Sequence, residues 1–134
     1  MKRLCFLLVA AISSSHCVAA QWLEVAGSTG GSRSYAFSTD IDLDSIASSG
    51  QYKKAWIRAR YVQSQKDGVR EVLQIFYISC TENRYGVVQE NQFSQDGRLI
   101  KSKAWPFSEA LLIDVAPGSV SEAVVKFVCS TSSR

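Results

Sequence analysis

Three groups of side chains have the types and spacing to do chemistry. Asp40, Asp42 and Asp44 place a carboxylate at every second position, which is how an EF-hand calcium loop begins. Ser45 stands where the sharp-turn glycine of that loop belongs, and Gln51 where its bidentate glutamate belongs. The three acids are therefore expected as solvated turn carboxylates, with no metal. Trp56, flanked by Lys54, Arg58 and Arg60, could stack on a sugar ring or engage an anionic partner. The plainer expectation for Trp56 is a core or edge position beside solubilising charges. Cys80 and Cys129 form the third group, a disulfide pair if the chain is exported.

Much chemistry is excluded by what the remaining sequence lacks. The one histidine, His16, falls in a segment expected to be removed. Without it there is no Ser-His-Asp or Cys-His nucleophile, and no imidazole for a zinc site. Gly27, Gly30 and Gly31 have no Lys-Ser or Lys-Thr behind them, so they make no phosphate loop of Walker type. Twelve acids scattered along the chain neither define nor exclude a glycosidase-like pair. No cofactor is implied, and the chain is expected not to be an enzyme.

The removed segment is the N-terminus. Lys2 and Arg3 precede an apolar run from Leu4 to Ile12, and small residues close it at Val18-Ala19-Ala20. That is the basic, apolar, small-residue order of a signal peptide, with cleavage before Gln21. The run is too short to span a bilayer, and no later segment approaches that length. Removing the first 20 of 134 residues leaves 114, enough for one domain, Gln21 to Arg134. Its 13 basic residues face 12 acidic ones, a net of +1. That balance gives no electrostatic case for a nucleic-acid partner. The destination is the periplasm or the medium. Lipid anchoring through Cys17 is the lesser branch, because the bulky His16 precedes it where Gly or Ala is expected.

The elements that must position these groups follow from periodicity. Ser34 to Ser38 alternates as a strand, and Thr39 to Gly50 carries turn residues, with Leu43 and Ile46 as anchors. In the strand Tyr52 to Gln63, Ala55, Ile57, Ala59 and Tyr61 share one face, and Lys54, Trp56, Arg58 and Arg60 the other. An Asp67-Gly68 turn leads to a strand from Val69 to Cys80. Further strands are expected over Tyr85–Phe93 and Arg98–Lys103, around a turn at Asp96-Gly97. Short links between them imply an antiparallel meander.

Ser119-Val120-Ser121-Glu122 is a capping box, and Val120, Ala123, Val124, Phe127 and Val128 recur at helical spacing after it. The fold class is thus α+β, one antiparallel sheet with a C-terminal helix packed on it and tied by Cys80 and Cys129. If Cys80 faces the helix, Ile78, Phe76, Gln74 and Val72 face it too. The opposite face then shows Tyr77, Ile75, Leu73 and Glu71. It is too apolar to be left bare. Either a segment such as Leu111-Leu112-Ile113 covers it, or it meets a partner.

Several motifs resemble one family. Asp42-Leu43-Asp44-Ser45-Ile46, Gly50 and Ala55-Trp56 are similar to an Asp-x-x-Ser-Ile, Gly, Val-Trp pattern of the surface-adhesin protein E family. Ile78 to Tyr85 resembles its Tyr-Asp-Cys-Ala-Glu-Arg-Arg-Tyr segment, and Phe93, Gly97 and Trp105 match its hairpin. Pro117-Gly118-Ser119 through Glu122 to Cys129 resembles its closing helix and final cysteine. The resemblance runs from about Trp22 to Cys129. It implies a six-stranded antiparallel sheet with a disulfide-held helix, a homodimer, and binding of host matrix proteins such as vitronectin and laminin. None of the family's ligand-binding residues falls in a matched segment. Trp56, Arg58, Arg60, Leu73, Ile75 and Tyr77 are the residues expected to form a partner-binding face for another protein. The alternative function is a periplasmic inhibitor or immunity protein acting on an envelope-directed enzyme.

Overall fold

A computed structural model describes residues 19–28 and 36–132. Most of the segment expected as a signal peptide, residues 1–18 with Cys17, lies outside the described residues. So do residues 29–35, which hold the first two positions of the strand expected from Ser34.

Eight strands and one helix make up the described chain: β1 (Trp22–Ser28), β2 (Phe37–Asp42), β3 (Ala47–Ser49), β4 (Tyr52–Tyr61), β5 (Val69–Ser79), β6 (Arg84–Ser94), β7 (Leu99–Ala104), β8 (Ile113–Asp114) and α1 (Val120–Ser130). Every pairing is antiparallel, and the path across the sheet is β1-β2-β4-β5-β6-β7. Two short strands extend it: β3 pairs with the start of β4, and β8 with the start of β6. The α+β architecture and the six-strand path are those expected from the sequence.

The stretch Thr39 to Gly50, expected as turns, differs in two places: β2 runs into it, and β3 (Ala47–Ser49) lies within it and pairs with β4. Thr39 to Asp42 is strand rather than turn, because Thr39, Asp40 and Ile41 pair with Ala59, Arg58 and Ile57 of β4. Ile41 is fully buried and Asp40 is 2% exposed, so Asp40 is not a solvated carboxylate. Asp residues disfavour strands in general; here cross-strand arginines override that preference. Asp42 and Asp44 do keep turn roles. Asp42 caps a single 3-10 turn at Leu43–Ser45, accepting from the Asp44 amide. Ile46 is buried and Leu43 packs on the core, as the anchor reading required.

The core lies between the sheet and α1. Ala55 and Ile57 of β4, with Phe76 and Ile78 of β5, meet Val124, Val125 and Val128 of α1. The parity argument therefore holds on β5. A bulge in this part of the sheet falls on β6, between the pairs Ile75–Gln89 and Phe76–Val87, and leaves the alternation of β5 intact.

Three devices fasten α1. Ser119 Oγ accepts from the Glu122 amide while the Glu122 carboxylate accepts from the Gly118 amide, so Glu122 reaches one residue beyond the N-cap of the expected box. Cys80 and Cys129 are joined, with Cα atoms 5.7 Å apart. Lys53 Nζ donates to the carbonyls of Val128 (3.1 Å), Cys129 (3.4 Å) and Thr131, placing a cation on the negative end of the helix.

Candidate partner-binding face

The six residues proposed from sequence all lie on the sheet face opposite α1. Register places Trp56 across from Ile75, Arg58 across from Leu73, and Lys54 across from Tyr77. Side chains directly opposite on one face are in mutual contact range. Trp56, Leu73, Ile75 and Tyr77 are each half-buried, so they form a continuous apolar strip that is neither core nor freely solvated.

At one end of this strip lies an aromatic cluster. Tyr77 meets Phe107 at 4.8 Å between ring centroids, and Phe107 meets Tyr52 edge-on at 4.9 Å. Phe107, in a 3-10 turn after Pro106, provides the cover that was expected from Leu111–Ile113. Of those three residues, Leu112 brings its side chain and Leu111 its carbonyl over the face. Leu112 Cδ2 and the Leu111 carbonyl would lie 3.1 Å from a Cβ at Gly86, the cross-strand neighbour of Tyr77. Leu111 itself is 78% exposed. The cover is therefore partial, leaving Trp56, Ile75 and Leu73 beside it.

At the other end the face is charged and ordered. Asp40 Oδ2 accepts from Arg58 Nε at 2.9 Å and from Arg60 Nε at 2.9 Å, and Asp40 Oδ1 accepts from Arg60 Nη2 at 3.1 Å. A bidentate arginine–carboxylate pair fixes orientation as well as distance. The Arg58 guanidinium also lies over the Trp22 ring, 4.2 Å from its centroid. Glu24 adds a loose contact to Arg60 at 3.9 Å. The Arg58 side chain is 19% exposed and the Arg60 side chain 46%, against 3% for the Asp40 side chain. One buried carboxylate thus holds two outward-reaching guanidinium groups.

These relations place two cations, oriented before any encounter, beside an apolar strip. Among the described residues no three acidic, cysteine or histidine side chains gather as metal ligands. No described helix is long and apolar enough to cross a membrane.

The profile of the surface-adhesin protein E family matches residues 22–130. The chain belongs to that family. Among solved structures, crystal form II of Haemophilus influenzae protein E is similar to it, with 15% identity, 69% of this chain and 80% of that chain covered, and a TM-score of 0.50. At that identity the likeness supports the shared fold alone. No curated protein sequence matches.

Within this adhesin-family domain the six residues named from sequence share one face, and three that organise it were not among them. Asp40 was hidden by its neighbours Asp42 and Asp44, which do make turns. Trp22 belongs to β1, and only the pairing of β1 with β2 brings it beside Arg58. Phe107 had a legible signal, since an aromatic after Pro106 next to Trp105 marks an anchored loop.

Proposed function

We propose that the protein is an exported, non-enzymatic binding module that holds another protein through the sheet face opposite α1. One observation carries this reading: Trp56, Leu73 and Ile75 form an apolar strip bounded by Arg58 and Arg60, both oriented by the buried Asp40. Aromatic and arginine side chains around a desolvated centre are the usual composition of binding hot spots. Family membership supports an adhesin-like role, and host matrix proteins are the first partners to test. The sequence signal for export agrees with the disulfide, a bond that persists in oxidising compartments.

The test is immobilised vitronectin and laminin, and separately an envelope extract, titrated with the domain from Gln21 onward. Saturable binding to one of them is expected. A Trp56→Ala, Ile75→Ser double variant with unchanged circular dichroism should lose at least about tenfold in affinity. Absence of any saturable partner, or full affinity in the double variant, would overturn the reading.

A further inference from the structure

The other side of the sheet holds a feature that partner binding does not use. A cleft of about 250 Å³ opens between the N-terminal half of α1 and strands β2, β4, β5 and β6. Ile57, Phe76, Val87 and Val124 supply apolar walls. The lining side chains carry no charge: besides the walls they are Thr39, Gln74, Tyr85 and Ser121 with further apolar groups. Ser121 Oγ donates to the Tyr85 hydroxyl at 3.0 Å. Gln74 commits its amide nitrogen to Glu90 at 2.7 Å. Thr39 lines the cleft from β2 and is 3% exposed. Among the described residues the buried polar side-chain atom left without a hydrogen-bond partner is Arg84 Nε and not the Thr39 hydroxyl, which stands at the cleft as a group that an entering polar atom can meet.

We propose that this cleft binds a neutral hydrocarbon chain of medium length bearing one hydrogen-bonding group, such as a fatty alcohol. Size comes first. An apolar cavity of roughly 150 Å³ accommodates benzene, so about 250 Å³ corresponds to roughly ten carbons. Polarity comes second: the Thr39 hydroxyl and the Gln74 carbonyl oxygen offer one donor and one acceptor to a single polar group.

Charge decides the head group. A carboxylate would enter a lining with no cation, where Gln74 is already bonded to the carboxylate of Glu90. Burying an anion there without a partner is strongly disfavoured. The N-terminus of α1 borders the cleft but offers little compensation, since Glu122 already places a carboxylate on it and takes up the Gly118 amide.

The probe is N-phenyl-1-naphthylamine, an uncharged bicyclic dye whose emission rises in apolar surroundings, titrated into the purified domain. Saturable binding of one dye per chain is expected, with displacement by decanol. Decanoate at pH 8 should displace it at least about tenfold less effectively, which is the cost of an unpaired buried charge. Ala59→Trp, which fills the cleft from β4, should abolish dye binding. Thr39→Val keeps the shape and removes the hydroxyl, so decanol should weaken about threefold to tenfold while the dye is retained. The inference is overturned by dye binding that does not saturate, by decanoate competing as well as decanol, or by wild-type dye binding in a folded Ala59→Trp variant. Should Ala59→Trp not fold, the decanol-to-decanoate ratio and Thr39→Val decide alone. Neither substitution touches the face opposite α1, so failure here leaves the protein-binding reading standing.

Discussion

Arg58 Nε lies 2.9 Å from Asp40 Oδ2, and the same oxygen accepts from Arg60 Nε. Asp40 is 2% exposed, so its carboxylate has left water, and these two guanidinium groups face it there. Replacing one member of such a pair leaves buried charge uncompensated, at a cost of about 3–5 kcal/mol when the site is dry. The Arg60 side chain is 46% exposed and therefore partly screened by solvent, which brings the expectation down to about 2–3 kcal/mol for Asp40→Asn. Thermal unfolding should show a fall of about 10 °C in Tm for a domain of this size. A change under about 2 °C would mean that solvent, rather than Asp40, balances the arginines.

The disulfide closes a separation of 49 residues. Constraining the unfolded chain over that loop stabilises the fold by roughly 4 kcal/mol in the chain-entropy account. Cys80 is exposed, so mild reductant should reach the bond without prior unfolding. The helix stays docked after reduction, because Val124, Val125 and Val128 remain buried against the sheet and Lys53 still holds the last carbonyls. Urea unfolding of the reduced domain should therefore show a lower midpoint with native helical dichroism retained below the transition. Loss of that dichroism in the absence of urea would assign the docking of α1 to the disulfide alone.

The elements that were legible in the sequence are those whose local pattern and tertiary environment agree. Tyr52 to Tyr61 alternates because one face meets α1 and the other does not, and the capping box announced α1 for the same reason. Asp40 was not legible: a run of three alternate aspartates looks like a turn, and only the pairing of β2 with β4 brings Arg58 and Arg60 to it. The six residues of the candidate face were found by parity along β4 and β5, which needs no knowledge of partners. Phe107 and Trp22 come from distant segments, and nothing in local periodicity reports which segment folds over which face.

Acid should weaken the N-terminus of α1. The Glu122 carboxyl titrates below its ordinary range, first because Lys126 hydrogen-bonds to it and then because the Gly118 amide does. A carboxyl depressed in the folded state contributes stability above its unfolded pKa of about 4.3, and loses it as pH falls through the lower folded value. Asp96 behaves likewise, held down by the Ser94 hydroxyl and then by the Arg98 backbone. The stability gap between the native domain and Glu122→Gln should accordingly be constant from about pH 8 to 6 and narrow below about pH 4. A gap that widens on acidification would contradict the assignment.

Gly86 ties the aromatic end of the candidate face to the segment that covers it. It is buried beneath the Leu111 carbonyl and Leu112 Cδ2, both of which would lie 3.1 Å from an added Cβ. The Leu112 side chain can rotate away, but the carbonyl belongs to backbone that is anchored nearby: Arg84 Nη2 donates to the Leu112 oxygen at 2.7 Å, and β8 pairs with β6 through Ile113 and Asp114. Gly86→Ala should therefore cost about 1–3 kcal/mol, as overpacking of a fitted contact does. Adding Leu112→Ala should recover only the side-chain part of that cost. Recovery of full stability in the double variant would show that the carbonyl yields freely, and that the cover over Tyr77 depends on Phe107 alone.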